Sequence, residues 1–179
     1  ELLTMRHLGP GAGGRAFYDD AEGLRRACRD QLKRAVTVLP WIATIDAFQH
    51  WVYANPTHTR ADRGAFWLGL DDRFGSRLDW SGLERTRELL WHRQMHLFGS
   101  PFYYIEYGIA QLGALQLWLH SLEQGEASAV EHYIKALSLG GTKPLPELFK
   151  AAGLVFDFGP ETLKRLADRV HAELAKLPE

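Results

Sequence analysis

From Asp19 onward, apolar residues recur at Leu24, Ala27, Cys28, Leu32, Ala35, Val36 and Leu39, with Gln31 the one polar member of the series. That is the spacing of one helical face. Arg25, Arg26, Arg29, Lys33 and Arg34 fall elsewhere on the helix; with Glu22 and Asp30 interspersed they read as a solvated surface. Pro40 lacks the amide that a helix interior needs. The pattern therefore predicts a kink or restart there, with continuation from Trp41 to Tyr53 and a stop at Asn55-Pro56. A second helix is expected over about 60–74, closed by Gly75, and a third over about 83–95 behind the turn Asp79-Trp80-Ser81-Gly82. Gly99, Ser100 and Pro101 interrupt the pattern, and a long apolar helix is expected over about 102–122. Another covers about 126–139, a short one framed by Pro144 and Pro146 reaches Ala152, and Gly159-Pro160 opens the last. In that last helix Leu163, Leu166, Val170, Leu174 and Leu177 are in register. No strand alternation runs beyond a few residues. The expected fold class is all-α, a single helical segment over 1–179 with no repeat, low-complexity tract or linker.

Composition narrows the functional classes. The chain has 179 residues, 46% hydrophobic and 24% charged, which excludes intrinsic disorder. Its 21 basic and 22 acidic side chains leave a formal charge of -1, so nothing draws it globally to nucleic acid or to an anionic membrane. Cys28 is the lone cysteine and sits in an apolar register, so it reads as an inert, buried thiol. The sequence contains no run of about 18 apolar residues and no secretory signal pattern, and a cytoplasmic location is expected. The chain opens on Glu1 and runs into Leu2, Leu3 and Met5 without an N-cap, which suggests a segment of a longer protein. Such a segment would expose apolar surface open to dimerisation.

Three motifs invite chemistry. Gly9-Pro10-Gly11-Ala12-Gly13-Gly14 satisfies G-x-G-x-x-G as a string, but no strand precedes it and no βαβ unit surrounds it, so it reads as a surface turn. His92 and His96 are four apart on an expected helix and would share a face. The residue after His92 is Arg93, not the glutamate of H-E-x-x-H, and two histidines leave zinc short of ligands. More informative is Pro101-Phe102-Tyr103-Tyr104-Ile105-Glu106-Tyr107-Gly108. At about 100° per residue Tyr103 and Tyr107 share an arc with Gln111, Ala114 and Trp118, and Tyr104 lies at its edge. Phenols there can donate to a substrate carbonyl or a developing oxyanion, and Gly108 would admit close approach. The competing reading is a tyrosine-rich seam between helices. The paired carboxylates Asp19-Asp20 and Asp71-Asp72 read as turn or exposed residues.

Several ordered stretches resemble a known family. They are Ile45-Asp46-Ala47-Phe48-Gln49-His50-Trp51-Val52-Tyr53, Asp79-Trp80-Ser81-Gly82, His96-Leu97-Phe98 and the tyrosine motif through Ala110. Later pieces agree, at Ala136 to Thr142, Leu145 to Phe149 and Ala151 to Leu154. Together they resemble the C-terminal part of an oligoendopeptidase F-type zinc metallopeptidase, a relative of thimet oligopeptidase. The resemblance implies a mostly helical portion of a zincin-like catalytic domain that hydrolyses short peptides in a deep channel. It implies zinc in the full-length parent, held by the histidines of H-E-x-x-H and a later glutamate, none of which lies in this chain. By the same resemblance Tyr104 and Tyr107 take catalytic roles toward the oxyanion, His96 and Tyr103 bind substrate, and the isolated chain is inactive. The alternative from another class is a non-catalytic helical module whose tyrosine face grips a peptide or a partner helix.

Overall fold

The computed structural model describes residues 1–11 and 16–178, and no strand occurs among them. The helices are α1 (Ala21–Ala54), α2 (Arg60–Phe74), α3 (Glu84–Glu88), α4 (His96–Gly99), α5 (Ile105–Glu123), α6 (Glu126–Ser138), α7 (Leu145–Ala151) and α8 (Pro160–Leu174). Short 3-10 turns occupy Met5–His7 and Leu90–Arg93. The chain divides into two compact units, one of Glu1–Val36 with Gln111–Glu179 and one of Thr37–Ala110. Of the kink or restart expected at Pro40, the restart does not occur: helix α1 continues through the proline as one 34-residue element. Its apolar face is buried on both sides of the proline, at Leu32 and Ala35 before and Ile42, Ile45 and Phe48 after, and that packing outweighs one missing backbone bond. The lost bond is the one to the Val36 carbonyl, the residue at which the units divide.

In the unit Thr37–Ala110 the core is Ile45, Phe48, Trp67 and Leu70. Trp67 is fully buried and meets Phe48 and Trp41 edge-on, with centroids 5.4 and 5.8 Å away. Helix α2 starts on a capping box, Asp62 N donating to Thr59 Oγ1 at 3.2 Å and Thr59 N donating to Asp62 Oδ2 at 2.9 Å. The helix expected over 83–95 is broken into α3, a 3-10 turn and α4. One cause is Trp67, whose indole N–H donates to the Arg87 carbonyl at 2.9 Å. A continuing helix would offer that carbonyl to Trp91. Arg87 Nε also donates to Asp71 Oδ2 at 2.6 Å, so Asp71 is buried in an ion pair and only Asp72 is the exposed residue expected of both.

The other unit buries Leu115, Ala129, Ala152, Leu166 and Val170. Gly113 lies against Phe149, whose Cζ is 3.1 Å from where a Cβ would stand. Two arginines of the supposed solvated stripe are engaged. Arg29 Nη1 donates to the carbonyls of Leu174 (2.7 Å) and Leu177 (3.1 Å), and Arg25 Nη2 to that of Lys176 (2.8 Å). They close the C-terminal end of α8, where a helix has unpaired carbonyls and negative potential. Arg26 pairs with Glu22 in its own helix. Of the glycine string, Gly9 is buried against Leu24, and residues 12–14 lie outside the described residues. Cys28 is half-buried, and desolvation pushes its thiol above the usual range. No described helix is long and apolar enough to cross a membrane.

Candidate active site

Helix α5 begins at Ile105, three residues later than the sequence pattern suggests, so Tyr103 and Tyr104 lie in a turn and only Tyr107 is helical. The turn is built around Phe102, which has a φ of 59°, left-handed for a residue bearing a side chain. Gln49, 3% exposed on α1, holds it there: Phe102 N donates to Gln49 Oε1 at 2.9 Å. This turn still gathers the predicted side chains. The His96 ring centroid lies 4.9 Å from Tyr104, 5.6 Å from Tyr107 and 6.4 Å from Tyr103. Tyr107 stands edge-on to both other phenols, 5.7 Å from Tyr103 and 5.2 Å from Tyr104.

The proton directions within this cluster follow from a chain of hydrogen bonds. The Trp41 indole can only donate, and its Nε1 reaches Gln94 Oε1 at 3.1 Å. The Gln94 amide is thereby oriented, and its Nε2 faces His96 Nδ1 at 2.6 Å. Nδ1 must accept, so the ring proton of neutral His96 sits on Nε2, 3.2 Å from Tyr107 Oη. His96 therefore donates to Tyr107, and the phenolic proton of Tyr107 is left to point elsewhere. Tyr107 is 44% exposed and Tyr103 51%, so the proton has open space to serve. Tyr104 packs its ring against the Ile45–Trp67 core, while its hydroxyl has no partner among the described residues. Two phenols are thus pre-oriented by different means, one by core packing and one by a relay.

Other expectations change. Gly108 is buried beneath Ile42, whose Cγ2 is 3.3 Å from the position of a Cβ, so its smallness serves packing and not substrate approach. His92 and His96 do not share a helical face, because the first lies in the 3-10 turn and the second begins α4. His92 packs tilted against Trp91, with ring centroids 3.8 Å apart, and both nitrogens of His96 are occupied. Among the described residues no three His, Cys, Asp or Glu side chains converge on a common point. The described residues do not fit a zinc ion. Sequence reasoning also missed Gln49, Gln94 and Trp41. Gln49 carried a signal, being a polar side chain in the buried register Ile45, Phe48, Gln49 and Val52.

This fold recurs in solved structures. PZ peptidase A, solved with an inhibitor, superposes with a TM-score of 0.80 at 30% identity over 87% of this chain and 28% of its own. A protein named oligoendopeptidase F gives 0.75 at 32% identity over 87% and 28%. Another of that name, from Bacillus anthracis strain Ames, gives 0.67 at 27% over 88% and 25%. The chain thus spans about a quarter of the length of each. No curated protein sequence matches it. The sequence pattern of peptidase family M3 matches residues 18–167, which together with these superpositions places the chain in that family.

Proposed function

We propose that this chain supplies the substrate side of a zinc-dependent oligopeptidase that hydrolyses short peptides, with the metal ligands and the water-activating base outside it. The observation that carries the reading is the ordered line from Trp41 through Gln94 and His96 to Tyr107, which ends in a phenolic proton aimed away from its own network. Peptide hydrolysis builds negative charge on the carbonyl oxygen, and a fixed O–H donor is worth most where that charge appears. Tyr107 and Tyr104 donate to this oxygen. Tyr103, the most exposed of the three, contacts the peptide, and His96 keeps Tyr107 in the donating direction while helping to orient the substrate backbone.

The test uses the full-length gene product. Tyr107→Phe and Tyr104→Phe remove one hydroxyl each and leave the ring packing, and Tyr107→Phe is expected to lower kcat about 10²–10³-fold with zinc content unchanged. Unchanged turnover in both variants, with zinc retained, overturns the donor role. The 179-residue chain by itself is expected to cleave no peptide, and equilibrium dialysis should find no stoichiometric zinc. Tight zinc binding by this chain would place ligands within it and defeat the division of labour.

A further inference from the structure

Within the unit Thr37–Ala110, a cavity of about 600 Å³ opens between the first turns of α2 and the α3–Trp91 segment. Three arginines line it, Arg60, Arg63 and Arg85, against one carboxylate, Glu88. Glu88 is already committed: its Oε2 lies 2.7 Å from Arg85 Nη1. Neither Arg60 nor Arg63 has a carboxylate partner among the described residues.

Arg63 is the informative one. It is half-buried, its guanidinium lies 5.7 Å from the Trp91 ring centre, and its Nη1 is 3.0 Å from His58 Nε2. A guanidinium only donates, so His58 Nε2 accepts and the imidazole proton sits on Nδ1, facing the Asn55 carbonyl. His58 thus offers Arg63 a lone pair and no negative charge. The Nε of Arg63 is shut off from solvent and has no acceptor. A half-buried guanidinium with no ion-pair partner and one nitrogen unsatisfied is unfavourable, and its fork beside an aromatic face suits a planar carboxylate. Glu88 sharpens the choice, because a carboxylate already in the cavity repels a phosphate dianion more than a monoanion.

We propose that this cavity binds a carboxylate, the acidic side chain or free C-terminus of a peptide, between Arg63 and Arg60. The proposal does not depend on the peptidase reading, and binding to the 179-residue chain tests it alone. The readout is the arginine Nε–Hε NMR signals during titration with N-acetylglutamyl amide, which carries a side-chain carboxylate, and with N-acetylleucine, which carries a terminal one. Saturable shifts are expected with at least one, and the one that saturates identifies the source. Arg63→Gln, and independently the exposed Arg60→Gln, should weaken binding roughly tenfold or more while helicity is retained. Added salt should weaken it too. Overturning results are no saturable shift with either probe, equal affinity for N-acetylglutaminyl amide, tighter binding of inorganic phosphate, or wild-type affinity in the folded Arg60→Gln protein.

Discussion

Each compact unit holds an imidazole beside other rings and a hydroxyl, yet the cluster around His96 ends on an exposed phenol and that around His120 on a half-buried serine. In the Gln111–Glu179 part, His120 and His132 lie 5.0 Å apart, His120 Nε2 meets Ser128 Oγ at 3.1 Å, and His132 Nδ1 donates to the Ser128 carbonyl at 2.8 Å. Gly153, with a φ of +71°, folds the chain back over the pair, so close that a Cβ there would stand 3.2 Å from His132 Cδ2. Both rings are half-buried, His132 tied back into its own helix α6 and His120 bridging from α5 to the same Ser128. Around His96 the residue types are similar, but the bonds run in one direction and end on an exposed phenol. Chemistry follows from what a network leaves unspent at its edge, not from the inventory of side chains in it.

That contrast fails outright if His120→Ala in the full-length protein costs as much turnover as Tyr107→Phe. The expectation is a loss of about 10²–10³-fold in kcat for Tyr107→Phe and less than about twofold for His120→Ala, measured on one short peptide under saturation.

Two glycines test packing in the two regions. Gly153→Ala forces a side chain into a left-handed backbone beside His132 and should cost about 1–3 kcal/mol in urea unfolding. Gly108→Ala meets Ile42 at 3.3 Å within a regular helix, and the gain in helix propensity of about 1 kcal/mol should offset most of that crowding. A larger loss at Gly108 than at Gly153 would contradict the packing described at both positions.

Gln94→Leu releases His96 from its fixed tautomer and leaves the Trp41 indole without an acceptor. Loss of about 1.4 kcal/mol of orientation corresponds to a fall of about tenfold in kcat. Ser128→Ala, the corresponding deletion in the other cluster, should leave turnover unchanged. If Gln94→Leu is fully active, the relay plays no part in the donor's direction.

In acid the two regions should behave alike, each through one carboxylate hydrogen-bonded at the start of a helix. The Asp157 carboxyl is held below its usual range by hydrogen bonds from Thr162 and Gly159, and that of Asp62 by the backbone and side chain of Thr59. A depressed folded value means that the stabilisation is complete above the unfolded pKa of about 3.9 and is lost as pH falls through the lower folded one. Chemical unfolding followed from pH 5 downward should show flatter profiles for Asp157→Asn and Asp62→Asn than for the wild type. Unaltered profiles would dismiss both carboxylates as pH-sensitive elements.

Much of the fold was legible because its signals are local. The span of α2 up to Gly75, the Gly159-Pro160 start of α8 and the amphipathic stripes fall where the sequence signals put them. The failures all have long-range causes. The helix expected over 83–95 breaks where Trp67, 20 residues away, takes the Arg87 carbonyl. The late start of α5 reflects Gln49, 53 residues before the amide it accepts from. The site shows the same split. Its residue types could be read from the tyrosine motif, whereas the direction of its protons depends on Trp41 and Gln94, also 53 residues apart and brought together only by folding.

The tie between Gln49 and Phe102 has an evolutionary corollary. Tyr103 and Tyr104 hang from an anchor on α1, not from the irregular chain that precedes them. Insertions or deletions in the exposed stretch Ser76 to Leu78, ahead of the Asp79-Trp80-Ser81-Gly82 turn, can therefore be absorbed before they displace the phenols. That stretch is where descendants of this sequence are free to vary in length, while position 49 is not free to lose its amide oxygen.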